Sequence, residues 1–252
     1  MSRHLIFRNT LNSIFLLLLF ASTVDAKTYT LVIEPSFPVE QGLQVYEPLK
    51  KWLSKKMGDD IKIIIDNNYY FYWRNAHGSR MPDFSFDAPH IAAFRAHNKN
   101  YKVIATTIEP LSYHLIALEE PPAGQSVQDF MVSKNIIMLP NPSLGSVYFN
   151  KWFTDLFAAP NKDVTALSWQ EAVEIIFDGS VQAAIVPNWI VNLYPNFTSL
   201  KHSEDMPGST FLASPTVPED VVEKFQQALL SLQNDDEAYD VLVELNTQGF
   251  KK

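Results

Sequence analysis

The sequence predicts an α/β protein with mainly parallel sheets, divided into two lobes. Three observations carry that reading. Short β-rich runs alternate with stretches of helical period along most of the chain, as strand–helix–strand units do. Residues 61–65 (IKIII) are apolar but for Lys62, which marks a strand covered on both faces. After Glu119 the loop EEPPAGQS interrupts the pattern, and it then starts afresh.

Residues 29–33 (YTLVI) read as the first strand, ended by Glu34-Pro35. Glu47–Met57 reads as a helix. Pro48 fits a first turn, where its missing N–H costs nothing, Leu49, Trp52, Leu53 and Met57 recur at helical spacing, and Gly58 ends it. Residues 69–76 form a helix whose register the aromatic run YYFYW does not fix. A short strand at 84–86 precedes a helix opening at Pro89, and strands at 102–107 and 113–118 are separated by Glu109-Pro110. Beyond the interruption come a short helix at 127–132, a strand at 136–139, the loop PNPSLGS and a helical stretch at 147–157. A helix at Trp169–Phe177 and a strand at 183–186 follow, and the Pro/Asn-rich residues 187–207 take no assignment. Residues 210–213 are extended. The helix at 219–232 carries the apolar stripe Val222, Phe225, Leu229, Leu230 and Leu232, and a final helix spans 235–245. If residues 210–213 carry the chain back, one lobe is 27–112 plus 210–252 and the other is 113–209.

Residues 1–26 read as a secretory signal. Arg3, His4 and Arg8 give a basic start, and Val24 and Ala26 place small residues before a cleavage point after Ala26. The apolar run 14–21 is far short of the ~20 residues of a membrane span. Zero cysteines exclude a disulfide scaffold and a lipidated N-terminus, so the fold rests on its own core, consistent with 46% hydrophobic residues. The net charge of −8 becomes −9 once Arg3, Arg8 and Asp25 are removed, and with no basic stripe it excludes nucleic acid as a partner. No catalytic residue, metal or cofactor is expected. HExxH, GxSxG and P-loop motifs are absent, and His90 and His97, two helical turns apart, lie ~10 Å from each other by helix rise.

Several strings, taken in order, resemble the phosphonate-binding family of periplasmic solute receptors, which have the type 2 fold with a two-strand hinge. YEPLKKWLSKKMG is similar to that family's first helix. Tyr70, then Asp83 and Pro89 in DFSFDAPHIAAF, follow at the family's distances, and Tyr113 in SYHLIAL sits where its hinge strand carries a tyrosine. PNPSLGS resembles its hydroxyl-rich ligand loop, WQEAVEIIFDGSVQAAIV its helix-then-strand unit, and ASPTVPEDVVEKFQQALLSL its C-terminal helix. The resemblance implies a monomeric, non-catalytic periplasmic receptor whose interlobe cleft closes on a small solute. An oxyanion of the phosphonate, phosphite or phosphate type is expected, passed to an ABC transporter permease or, alternatively, sensed by the ectodomain of a membrane signalling protein.

The candidate site follows from this frame. Ser143 and Ser146 lie between a strand and a helix, so hydroxyls and free N–H groups there can cradle an oxyanion, or else simply cap the helix. Leu144 departs from the hydroxyl residue usual in phosphonate binders. Tyr70 and Tyr113 offer aromatic walls with a polar tip, although Tyr70 equally suits packing within YYFYW. Asp87 and His90 stand on either side of Pro89, on a segment that the resemblance places at the cleft. Trp169 falls where phosphonate binders carry a histidine and reads as a wall or as core filler. Gln182 and Val186 replace family acids, and Phe37, after the first strand, adds another wall.

Overall fold

The computed structural model describes residues 27–155 and 157–252. The expected signal segment lies outside them. The chain opens with β1 (Thr28–Ile33), α1 (Val39–Val45), α2 (Glu47–Met57), β2 (Asp60–Ile65), α3 (Tyr69–His77), β3 (Phe84–Asp87), α4 (Pro89–Lys99) and β4 (Lys102–Thr107). It continues through β5 (Tyr113–Ala117), α5 (Val127–Met131), β6 (Asn135–Ile137), α6 (Leu144–Trp152), β7 (Asn161–Asp163), α7 (Trp169–Phe177), β8 (Ala183–Pro187), α8 (Asn188–Leu193) and β9 (Thr198–His202). It ends with β10 (Thr210–Ala213), α9 (Glu219–Ser231), α10 (Tyr239–Glu244) and β11 (Phe250–Lys251).

Two sheets result, in the orders β11-β4-β10-β3-β1-β2 and β7-β6-β8-β5-β9. Most strands of each sheet point the same way, but both sheets are mixed. β10 and β11 run against the rest of the first sheet, and β5 runs against the second. The cause is the route of the chain. β5 enters the second sheet directly from β4 with no helix to turn it round, and β10 returns from β9 in the same manner, so each arrives antiparallel to its neighbours.

Local chemistry sets the element ends. Gly58 closes α2 at φ 74, a left-handed conformation that a side chain would resist. Asn68 caps α3 by accepting from Phe71 N at 2.9 Å. Ser143 caps α6, which starts at Leu144, ahead of the apolar run that placed its beginning at 147. The unassigned stretch 187–207 contains α8 and β9, and α1, β7 and β11 are further short elements that the pattern did not show.

Side-chain alternation along β1 divides the core. Leu31 and Ile33 face a cluster with Leu49, Trp52, Phe84, Phe211 and Phe225. Val32 faces the other way, into a cluster that joins Tyr69, Tyr72, Ala88 and Ile91 to the buried residues of the second sheet. The α3–α4 side of the first sheet therefore packs directly against the second. Two segments, 108–112 and 203–209, cross between the sheets. They pair at Leu111 and Met206 through reciprocal backbone bonds of 3.0 and 2.9 Å. Gly208 passes so close to Thr107 and Glu109 that a Cβ there would lie 2.0 Å from Thr107 Oγ1 and 2.5 Å from the Glu109 carbonyl oxygen.

Among the described residues no helix is long and apolar enough to cross a membrane.

Candidate functional site

Parallel strands leave ligand sites beyond their carboxyl ends. A cavity of about 280 Å³ lies there, where the ends of β1, β3 and β8 meet the crossing segments. Its walls are aromatic (Phe37, Tyr46, Tyr113, Trp169, Trp189), with neutral polar groups from Ser36, Thr107, Asn188, Asn192, Ser209 and Asn246. Four carboxylate residues line it (Glu34, Asp87, Glu109 and Glu244), and among the described residues no lysine, arginine or histidine does.

Glu34 follows β1 directly and is 8% exposed. Its Oε1 accepts from Trp169 Nε1 at 3.3 Å and its Oε2 from Ala88 N at 3.2 Å. Ala88 is the N-cap of α4, so the carboxylate sits at the positive end of that helix and also reaches across to α7. Burial pushes the Glu34 carboxyl up to about 7, against the lowering pull of the Trp169 hydrogen bond. The nearby Asp87 charge adds to the rise, and the Ala88 N–H opposes it. A backbone bond from Gln170 N to Ser36 O at 3.2 Å fastens the same junction.

Asp87, the last residue of β3, is matched from behind. It accepts from Tyr72 Oη, from Ser85 Oγ at 2.7 Å and from Arg95 Nε at 2.8 Å, and Arg95 is itself 2% exposed. Glu109 accepts from Thr247 Oγ1 at 2.5 Å and Gln248 N at 2.7 Å. Glu244 ends α10 and is exposed at the rim, close enough to Tyr46 for its charge to act on that phenol. Phe37 meets Tyr46 edge-on at 6.2 Å and Trp189 at 5.8 Å, forming an aromatic corner beside these acids.

Four of the expected residues, Phe37, Asp87, Tyr113 and Trp169, line this cavity. Tyr113 opens β5 and meets Trp169 edge-on at 5.6 Å, and burial keeps its phenol neutral by raising its pKa well above the ordinary value. The other four do not line it. Tyr70 is 59% exposed, because the buried side of α3 takes Tyr69, Tyr72 and Ala76. The inward residue is its neighbour Tyr69, whose hydroxyl lies 3.0 Å from His90 Nε2. Burial pushes His90 down to about 4, with a weaker opposing pull from the Pro142 carbonyl. Ser143 Oγ donates to Leu139 O at 2.5 Å and accepts from Ser146 N at 3.2 Å, so its hydroxyl is engaged as a cap. Ser146 is fully buried. The backbone beside it is covered, since a Cβ on Gly145 would stand 3.3 Å from two ring atoms of Trp169. The indole thus lies over the start of α6.

Sequence reasoning passed over Glu34, Tyr46, Glu109, Trp189 and Glu244. A signal existed for Glu34, a charged residue placed just past a strand's carboxyl end. Trp189 fell within the unassigned stretch.

Two sheets, a pair of crossing segments and a cavity at the strand ends between them define a two-lobed solute-binding protein. The family model for the ABC transporter phosphonate periplasmic substrate-binding protein matches residues 31–252. This chain belongs to that family, a non-catalytic component of transport. Among solved structures, PhnD1 from Prochlorococcus marinus in complex with methylphosphonate is similar at 14% identity, covering 90% of this chain and 92% of that one, with a TM-score of 0.75. A binding protein component of an ABC phosphonate transporter from Pseudomonas aeruginosa shares 13% identity over 90% and 82%, at 0.74. XAC2383 from Xanthomonas citri bound to ATP shares 11% over 90% and 91%, at 0.63. At these identities the likeness is one of fold. No curated protein matches the chain by sequence.

Proposed function

We propose that this chain, exported and freed of residues 1–26, captures a small solute in the interlobe cavity and hands it to the permease of an ABC transporter. Residues 27–112 with 210–252 form one jaw and residues 113–209 the other. The observation that carries this reading is the position of the cavity, at the carboxyl ends of strands from both sheets and beside the crossing segments. The methylphosphonate held by the Prochlorococcus relative supports a phosphonate-type oxyanion as one class of ligand. The carboxylate lining adds a condition, for it favours members of that class that also carry a positive group.

A melting-shift screen of the purified mature chain against oxyanions, amines and vitamins tests the receptor role. A true ligand at a hundredfold excess over its dissociation constant stabilises the fold by about 2.7 kcal/mol. Silence across the whole panel overturns the reading.

A further inference from the structure

The charge around the cavity is one-sided. Of its four carboxylates, only Asp87 is matched by a buried cation, Arg95. An anion entering here would meet a lining that includes Glu34, Glu109 and Glu244, with no lysine, arginine or histidine among the described lining residues to offset them. Backbone donors do not restore the balance. The start of α4 donates through Ala88 N to the chain's own carboxylate on Glu34, and the start of α6 is roofed by the Trp169 indole. At these two helix ends Ala88 N is taken by Glu34 and Ser146 N by Ser143, while the buried Ser146 Oγ has no partner but does not line the cavity.

The same lining suits a cation. Phe37, Tyr46 and Trp189 meet at one corner, and aromatic faces attract ammonium groups, most strongly where water is excluded. Glu34 lies on the buried side of the cavity, and Glu244 stands at the rim near Tyr46. A volume of about 280 Å³ is at the small end for ligand pockets and fits a metabolite of few heavy atoms.

Building on the receptor role proposed above, we infer that the group this cavity recognises is a cation, a primary or quaternary amine seated between Glu34, Glu244 and the aromatic corner of Phe37, Tyr46 and Trp189. An anionic end on the solute is tolerated at the polar rim and is not what secures it.

Titration calorimetry on the mature chain, refolded to strip any carried ligand, decides the matter. The probes are ethanolamine, choline and 2-aminoethylphosphonate on one side, with methylphosphonate, phosphite and phosphate on the other. Binding by at least one amine, about tenfold or more tighter than by any amine-free anion, is the expected result. Glu34→Gln and Glu244→Gln should each weaken that amine about tenfold. Because Glu244 is exposed, its variant separates loss of charge from loss of fold. Methylphosphonate or phosphate binding as tightly as 2-aminoethylphosphonate overturns the inference and leaves the receptor role standing. Amine binding at unchanged affinity in both variants also overturns it. Silence toward both sets of probes overturns the inference and the receptor role together.

Discussion

Glu34→Gln should change how stability depends on pH, and the sign can be worked from two groups. Glu34 titrates from 4.5 in the unfolded chain to about 7 in the native one. Between those values the unfolded chain has released a proton that the native state still holds. Stability on this account falls as pH rises, by about 1.36 kcal/mol per unit and about 3 kcal/mol in all, and levels off above 7. His90 does the reverse, since its value drops from 6.5 to about 4. Between 4 and 6.5 the unfolded chain binds a proton that the native state refuses, so stability rises with pH at the same slope. Where the windows overlap, the two slopes nearly cancel and these two groups leave the wild-type curve flat.

Glutamine removes the falling limb and leaves the His90 rise. It also supplies one acceptor oxygen where the carboxylate served both Trp169 Nε1 and Ala88 N, a fixed cost of about 1 kcal/mol. The variant should be the less stable protein near pH 4.5 and the more stable one, by about 2 kcal/mol, near pH 7.5. Urea unfolding at a series of pH values measures this directly. Parallel curves for the two proteins would refute the burial and charge assigned to Glu34.

Arg95→Met should strand the buried Asp87 charge with only Tyr72 and Ser85 as partners, costing about 3–5 kcal/mol. Adding Asp87→Asn should recover most of that loss in urea unfolding, and equal destabilisation of single and double variants would count against an ion pair at this position. Gly208→Ala forces its new Cβ into Thr107 and the Glu109 carbonyl, so thermal melting should show a loss of about 1–3 kcal/mol or more. An unchanged melting temperature would mean that the crossing segments are not packed that closely.

Much of the fold was legible because hydrophobic period and punctuation agreed. Glu47–Met57, Lys102–Thr107, Trp169–Phe177 and Thr210–Ala213 occupy the bounds read from the sequence. Short elements were harder to read. β7 (NKD) and β11 (FK) have too few residues to show a period, and α8 lies in a Pro/Asn-rich run that allowed no assignment. The register of α3 was illegible because aromatic residues on every side give no amphipathic contrast, so nothing in the pattern corrected the choice of Tyr70, taken from the family resemblance, over the inward Tyr69. At the site, Phe37, Tyr113 and Trp169 were expected as aromatic walls and Tyr46 and Trp189 were not, whereas the acids Glu34, Glu109 and Glu244 converge from three distant parts of the chain. Only the return of β10 and the C-terminal segment to the first sheet brings them together.

That return also ties the C-terminal residues to one of the crossing segments. Ile108 N donates to Gly249 O at 3.0 Å, and Glu109 holds Thr247 and Gln248, so the C-terminal tail acts as a stay on the base of one connector. Beyond that stay the two connectors are joined side by side at the Leu111–Met206 pair. Farther from that pair, Glu34 at the end of β1 in the first sheet bonds Trp169 beside the second. Parting the two sheets there would break the Trp169–Glu34 and Gln170–Ser36 bonds together.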